Sequence, residues 1–121
     1  MYRRSLIVLG GAAAMTLVAG PAGAHAIVVE SMPAANATVS GPDLAVRIRF
    51  NSRIDVKRSR LQLVPPAGKA RPLEILPSER PDELTARVAN LAVGAYKLRW
   101  QVLAVDVHVT RGDIAFHVAG A

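Results

Sequence analysis

A chain of 121 residues, 51% hydrophobic and 20% charged, with a formal net charge of +6 and no cysteine, has room for one domain. The missing thiols exclude structural disulfides, thiolate-ligated zinc, iron–sulfur clusters, thiol catalysis and type 1 copper. The apolar content excludes a disordered chain, and nine glycines and eight prolines are too few for a collagenous one.

Residues 1–24 open with Arg3-Arg4, continue through an apolar stretch over residues 6–20 and close on Ala22-Gly23-Ala24. This is the three-part layout of a secretory signal with a small-residue cleavage site. The apolar stretch of about fifteen residues is shorter than the roughly twenty a spanning helix needs. The paired arginines leave a general or a twin-arginine export route open. The expected arrangement is a cleaved export signal over residues 1–24 and a single β-domain over residues 25–121. That domain keeps a formal charge of +4 once Arg3 and Arg4 are set aside. Cleavage after Ala24 makes His25 the amino terminus.

Residues 26–30, rich in β-branched side chains, read as a first strand. Val46, Ile48 and Phe50 alternate with Arg47 and Arg49, a period of two that marks a half-buried strand. Leu61 and Leu63 repeat the pattern, followed by Leu84, Ala86 and Val88. Tyr96, Leu98, Trp100 and Val102 form the longest such run and are expected in the core. Ile114, Phe116 and Val118 form the last. Turn signals separate the runs at Ser40-Gly41-Pro42-Asp43, Pro65-Pro66-Ala67-Gly68, residues 77–81, Val93-Gly94 and Arg111-Gly112. About seven short strands without a helical period predict an all-β, antiparallel Greek-key sandwich or small barrel.

Three histidines are present: His25, His108 and His117. If the strand through Tyr96 continues, Asp106 and His108 leave the same face about 6.5 to 7 Å apart at their bases and can converge on one metal ion. A terminal His25 would add two donors. An α-amine has a pKa near 8 against about 10.4 for lysine, so a metal displaces its proton readily. Together with the imidazole Nδ1 it closes a chelate ring. Three nitrogens and one oxygen suit tetragonal Cu(II), which also leads the affinity order of divalent first-row ions; zinc would take the same groups in a tetrahedral arrangement. His117, on the solvent face of the last strand, has no partner in sequence.

These residues resemble the CopC-type periplasmic copper-binding proteins. The segment His25-Ala26-Ile27-Val28-Val29-Glu30-Ser31-Met32-Pro33-Ala34 is similar to that family's mature start, where His-Ala leads to a strand and a Ser-x-Pro-Ala segment. Gly94-Ala95-Tyr96-Lys97-Leu98-Arg99-Trp100 resembles its Gly-x-Tyr-x-x-x-Trp hairpin. Residues 103–108, with Gly112 and Phe116 beyond, resemble its Ser-x-Asp-x-His motif and closing strand. The resemblance implies a seven-stranded Greek-key fold binding one Cu(II) through His25, Asp106 and His108, with a role in copper resistance or supply beside an inner-membrane protein of the CopD type. Val107 and Val109 stand where the family commonly has a small residue and a proline, and Phe50-Asn51-Ser52-Arg53 replaces its Phe-Ser-Glu-Pro stretch. Beyond the signal, Met32 is the one methionine, so a thioether Cu(I) site is not expected.

The leading expectation is therefore a non-catalytic, monomeric periplasmic Cu(II) carrier or buffer. The competing ones are a copper-dependent oxidative enzyme with a terminal-histidine site and a β-domain whose histidines are incidental. Serine-hydrolase and nucleotide-binding signatures are missing. Residues 47–60 hold six basic side chains, Arg47, Arg49, Arg53, Lys57, Arg58 and Arg60, against Asp55 alone. A solvated strand face is the plain reading, contact with anionic lipid or an acidic partner the other. Nucleic acid is not expected, because no stacking aromatics are interleaved.

Overall fold

The structure is a computed structural model that describes residues 26–120. Eight strands follow in chain order: β1 (Val28–Met32), β2 (Ala37–Ser40), β3 (Leu44–Phe50), β4 (Ile54–Val64), β5 (Arg71–Pro72), β6 (Glu83–Val88), β7 (Gly94–Ala104) and β8 (Val109–Ala119). They form two sheets, one ordered β1-β3-β6 and the other β2-β8-β7-β4-β5. Their inner faces carry the alternating apolar residues read from the sequence. Val46, Ile48 and Phe50 from β3 and Leu84, Ala86 and Val88 from β6 meet Leu61, Leu63, Tyr96, Leu98, Trp100 and Val102, all buried. Phe50 and Trp100 join the sheets edge to face, with ring centroids 5.1 Å apart, an arrangement that aromatic quadrupoles favour.

The all-β sandwich expectation holds, with four corrections of detail. β2 pairs with β8 in parallel, because the chain switches sheets after β1 and runs alongside β8 without reversing; every other pairing between strands is antiparallel. The first strand begins at Val28 rather than residue 26. β4 starts at Ile54, seven residues before Leu61, where Lys57 and Arg58 interrupt the period within a shifted register between Asp55 and Arg60. Arg111-Gly112 is no turn: Gly112 lies inside β8 opposite Trp100. A Cβ there would stand 2.7 Å from the indole ring, so a glycine that reads as a turn is instead the place where backbone and ring approach closely.

The strand connections gather several segments at one end of the sandwich. Ile27 is tied to Asn51 by a reciprocal pair: its N–H donates to Asn51 Oδ1 at 2.9 Å, and the Asn51 N–H donates to its carbonyl at 2.9 Å. Three residues on, β4 begins at Ile54, which pairs with Ala104, the last residue of β7. The start of the described chain, the β3–β4 connection and the β7–β8 turn therefore share this end.

Candidate metal centre

Asp106 and His108 sit at the tip of the long β7–β8 hairpin. The strand does not reach them: β7 ends at Ala104 and β8 begins at Val109. The same-face strand geometry expected from their spacing is thus replaced by a turn. The Val107 N–H donates to the Ala104 carbonyl and the Ala104 N–H to the His108 carbonyl, both at 2.9 Å. This is the three-residue hairpin connection, a turn followed by one left-handed residue. The left-handed place belongs to Val107, at φ 62°. Asn and Gly accept that conformation, whereas a β-branched residue there is an outlier.

The turn still brings the two predicted side chains together, by another route. His108 Nδ1 lies 3.1 Å from Asp106 Oδ2, and the His108 backbone N–H donates to Asp106 Oδ1 at 3.2 Å. Desolvation works against the charged carboxylate of Asp106, but the His108 backbone N–H, the His108 ring and its charge outweigh it and hold the carboxyl below its ordinary value. A carboxylate and an imidazole are two of the donor types by which proteins hold borderline divalent ions.

His25 lies outside the described residues. Its neighbour Ala26 is 1% exposed and lines a groove with Trp100, Asp113 and Ile114. Among the described residues no three histidine, aspartate or glutamate side chains converge, so Asp106 and His108 form a pair. His117 is exposed on β8 opposite Ala95, on the solvent face where its sequence position put it.

Two contributors escaped the sequence reading. Asn51 fixes the Ile27 backbone across 24 residues of sequence, a contact no local pattern announces. Val107 shapes the turn through a backbone conformation that its side-chain type argues against.

Taken together, the described residues make a small two-sheet β-protein with a His–Asp donor pair on an exposed hairpin turn. Residues 28–119 match the CopC domain, and the chain belongs to the CopC family. It is 28% identical over 108 residues to protein YobA of Escherichia coli, an alignment covering 85% of this chain and 86% of that one. It is also 28% identical over 113 residues to copper resistance protein C of Xanthomonas campestris pv. juglandis, covering 87% and 88%. Among solved structures, CopC from Methylosinus trichosporium superposes with a TM-score of 0.71 at 28% identity, over 79% of this chain and 95% of that one. PcoC, a methionine-rich copper resistance protein from Escherichia coli, shares the fold with a TM-score of 0.66 at 22% identity, over 78% and 99%.

Proposed function

We propose that this protein is a periplasmic Cu(II) carrier or buffer acting in copper resistance, homeostasis or uptake. One Cu(II) per chain is taken by the amine and imidazole of a mature amino-terminal His25, by Asp106 and by His108. The observation that carries this reading is the donor pair on the hairpin tip. Two metal–ligand bonds of about 2.0 Å separate their donor atoms by about 2.8 Å at a right angle and about 3.3 Å at a tetrahedral one. The 3.1 Å between His108 Nδ1 and Asp106 Oδ2 therefore accommodates a small first-row ion after a shift of a few tenths of an ångström. Copper is favoured over zinc by the nitrogen-rich set and the affinity order, and by the copper resistance role that relatives carry in their names.

Ala26, buried at the end of the sandwich that holds this turn, supports His25 as the third residue. With four donors filled by protein groups, the ion is cargo rather than a catalyst. In this reading the protein works as a monomer, exported on the signal of residues 1–24, and exchanges copper with an inner-membrane protein of the CopD type.

The test is Cu(II) EPR on protein exported with its own signal, its amino terminus fixed by mass spectrometry. An axial one-to-one spectrum with nitrogen couplings is expected. His25→Ala, or one extra residue ahead of His25, should weaken binding by at least about 100-fold, since removing even an outer-shell partner costs 10- to 100-fold. A spectrum unchanged by either alteration overturns the assignment.

A further inference from the structure

The basic run at residues 47–60 is divided by the fold. Arg47 and Arg49 lie on the outer face of the three-stranded sheet, where they pair with Glu83 at 3.8 Å and Glu30 at 3.3 Å. The rest gather behind the β7–β8 tip. Arg53 directly precedes Ile54, the partner of Ala104. Lys57 and Arg58 stand in the register shift between Asp55 and Arg60, and Arg60 shares one row with Gln101 and Arg111 across β4, β7 and β8. That row lies about 10 Å behind the end of β7 at the rise of an extended strand. All five cations are exposed. Arg58 is engaged by Asp55 at 3.8 Å; among the described residues Arg53, Lys57, Arg60 and Arg111 have no carboxylate partner.

Ahead of this collar, exposed aliphatic side chains flank the Asp106–His108 pair on the tip. Val105, Val107 and Val109 are 65%, 77% and 50% exposed, and Ile27 at the same end is 47% exposed. Large aliphatic side chains clustered at one protruding turn are an interaction surface rather than ordinary scatter.

From these two features we infer that the β7–β8 tip and its collar dock the protein on an anionic phospholipid bilayer. The valines enter the interfacial region and the cations meet headgroup phosphates. A lipid surface fits better than a protein one for two reasons. A convex turn cannot by itself cover the roughly 800 Å² per partner of a stable protein interface. Valine is also under-represented among the residues that dominate such interfaces. A bilayer takes exposed aliphatic side chains on a convex tip without complementary shape, and each basic residue near its surface adds about fivefold to partitioning.

The experiment is cosedimentation of the exported, metal-free protein with vesicles of mixed phosphatidylglycerol and phosphatidylcholine, against pure phosphatidylcholine. Binding is expected to the mixed vesicles alone and to fall as salt rises. Lys57→Gln with Arg60→Gln should lower it by about 25-fold, and Val105→Ser with Val107→Ser should abolish it while far-UV circular dichroism stays native. Equal binding to neutral vesicles, no binding to anionic ones, or indifference to both variant pairs overturns the inference. So does binding to soluble polyglutamate in place of vesicles, which would mark an acidic protein partner. The copper reading is separable: Lys57→Gln with Arg60→Gln should keep the Cu(II) spectrum, and His25→Ala should keep vesicle binding.

Discussion

The two ends of the β7–β8 hairpin are built from the same two strands and obey opposite rules. Near the start of β7, Tyr96 stacks on Phe116 at 5.5 Å with the rings 16° from parallel, and the Tyr96 hydroxyl donates to the Ala92 carbonyl at 2.7 Å. Polar atoms there are satisfied and apolar rings are buried. At the far end, three valines face solvent around a donor pair joined by contacts of 3.1 and 3.2 Å. The comparison separates what holds the molecule together from what it offers to others. Packing is concentrated where the strands lie between the sheets, and chemistry is concentrated where the hairpin has left them.

Substitutions along the hairpin test that separation. The largest stability effect is expected at the packed end: Phe116→Ala should cost about 3–5 kcal/mol, the range for deleting a buried aromatic ring. Denaturant unfolding measures it, and a loss below about 1 kcal/mol would mean that the stacked pair is not part of the core. Halfway along, Gly112→Ala places a methyl group 2.7 Å from the Trp100 ring. The indole is itself wedged against Phe50, so neither partner yields cheaply, and a loss of about 1–3 kcal/mol follows. Trp100 fluorescence reports whether the ring has moved, and an unmoved ring with unchanged stability would refute the close-approach account of this glycine.

How far the sequence discloses this division follows from the range of each signal. Alternation is local, so Val46-Ile48-Phe50 and Tyr96-Leu98-Trp100-Val102 announce both their strands and their buried faces. The donor types are equally plain: aspartate and histidine are metal-binding residue types whatever the backbone does between Asp106 and His108. What stayed hidden depends on partners distant in the chain. β2 is a strand because β8 offers it an edge, and its four residues, Ala37–Ser40, carry only a faint period. Gly112 reads as a turn because glycine has several uses, and only the indole across the ladder selects one. The strand expected to continue through Asp106 fails for a related reason. The hairpin closes between Ala104 and His108, and the residue that takes the left-handed place in it is a valine, the type least expected there.

That valine supplies the smallest and sharpest contrast. Val107→Gly exchanges a β-branched residue at φ 62° for the one residue type without a steric penalty there. Relief of the left-handed conformation is worth about 1–2 kcal/mol, and the extra freedom of glycine in the unfolded chain takes back about 0.5–1 kcal/mol. Because the side chain is largely exposed, little burial is lost, and the net effect is a gain of up to about 1.5 kcal/mol. For a domain of this size that raises the thermal midpoint by a few degrees. A fall in the midpoint would show that the Val107 side chain stabilises the turn in a way its exposure conceals. The same substitution removes the most exposed apolar group of the tip, so vesicle binding should drop as the midpoint rises. Gly112→Ala, which lowers the midpoint and leaves the tip unaltered, should move only one of the two measurements: stability lost, vesicle binding kept.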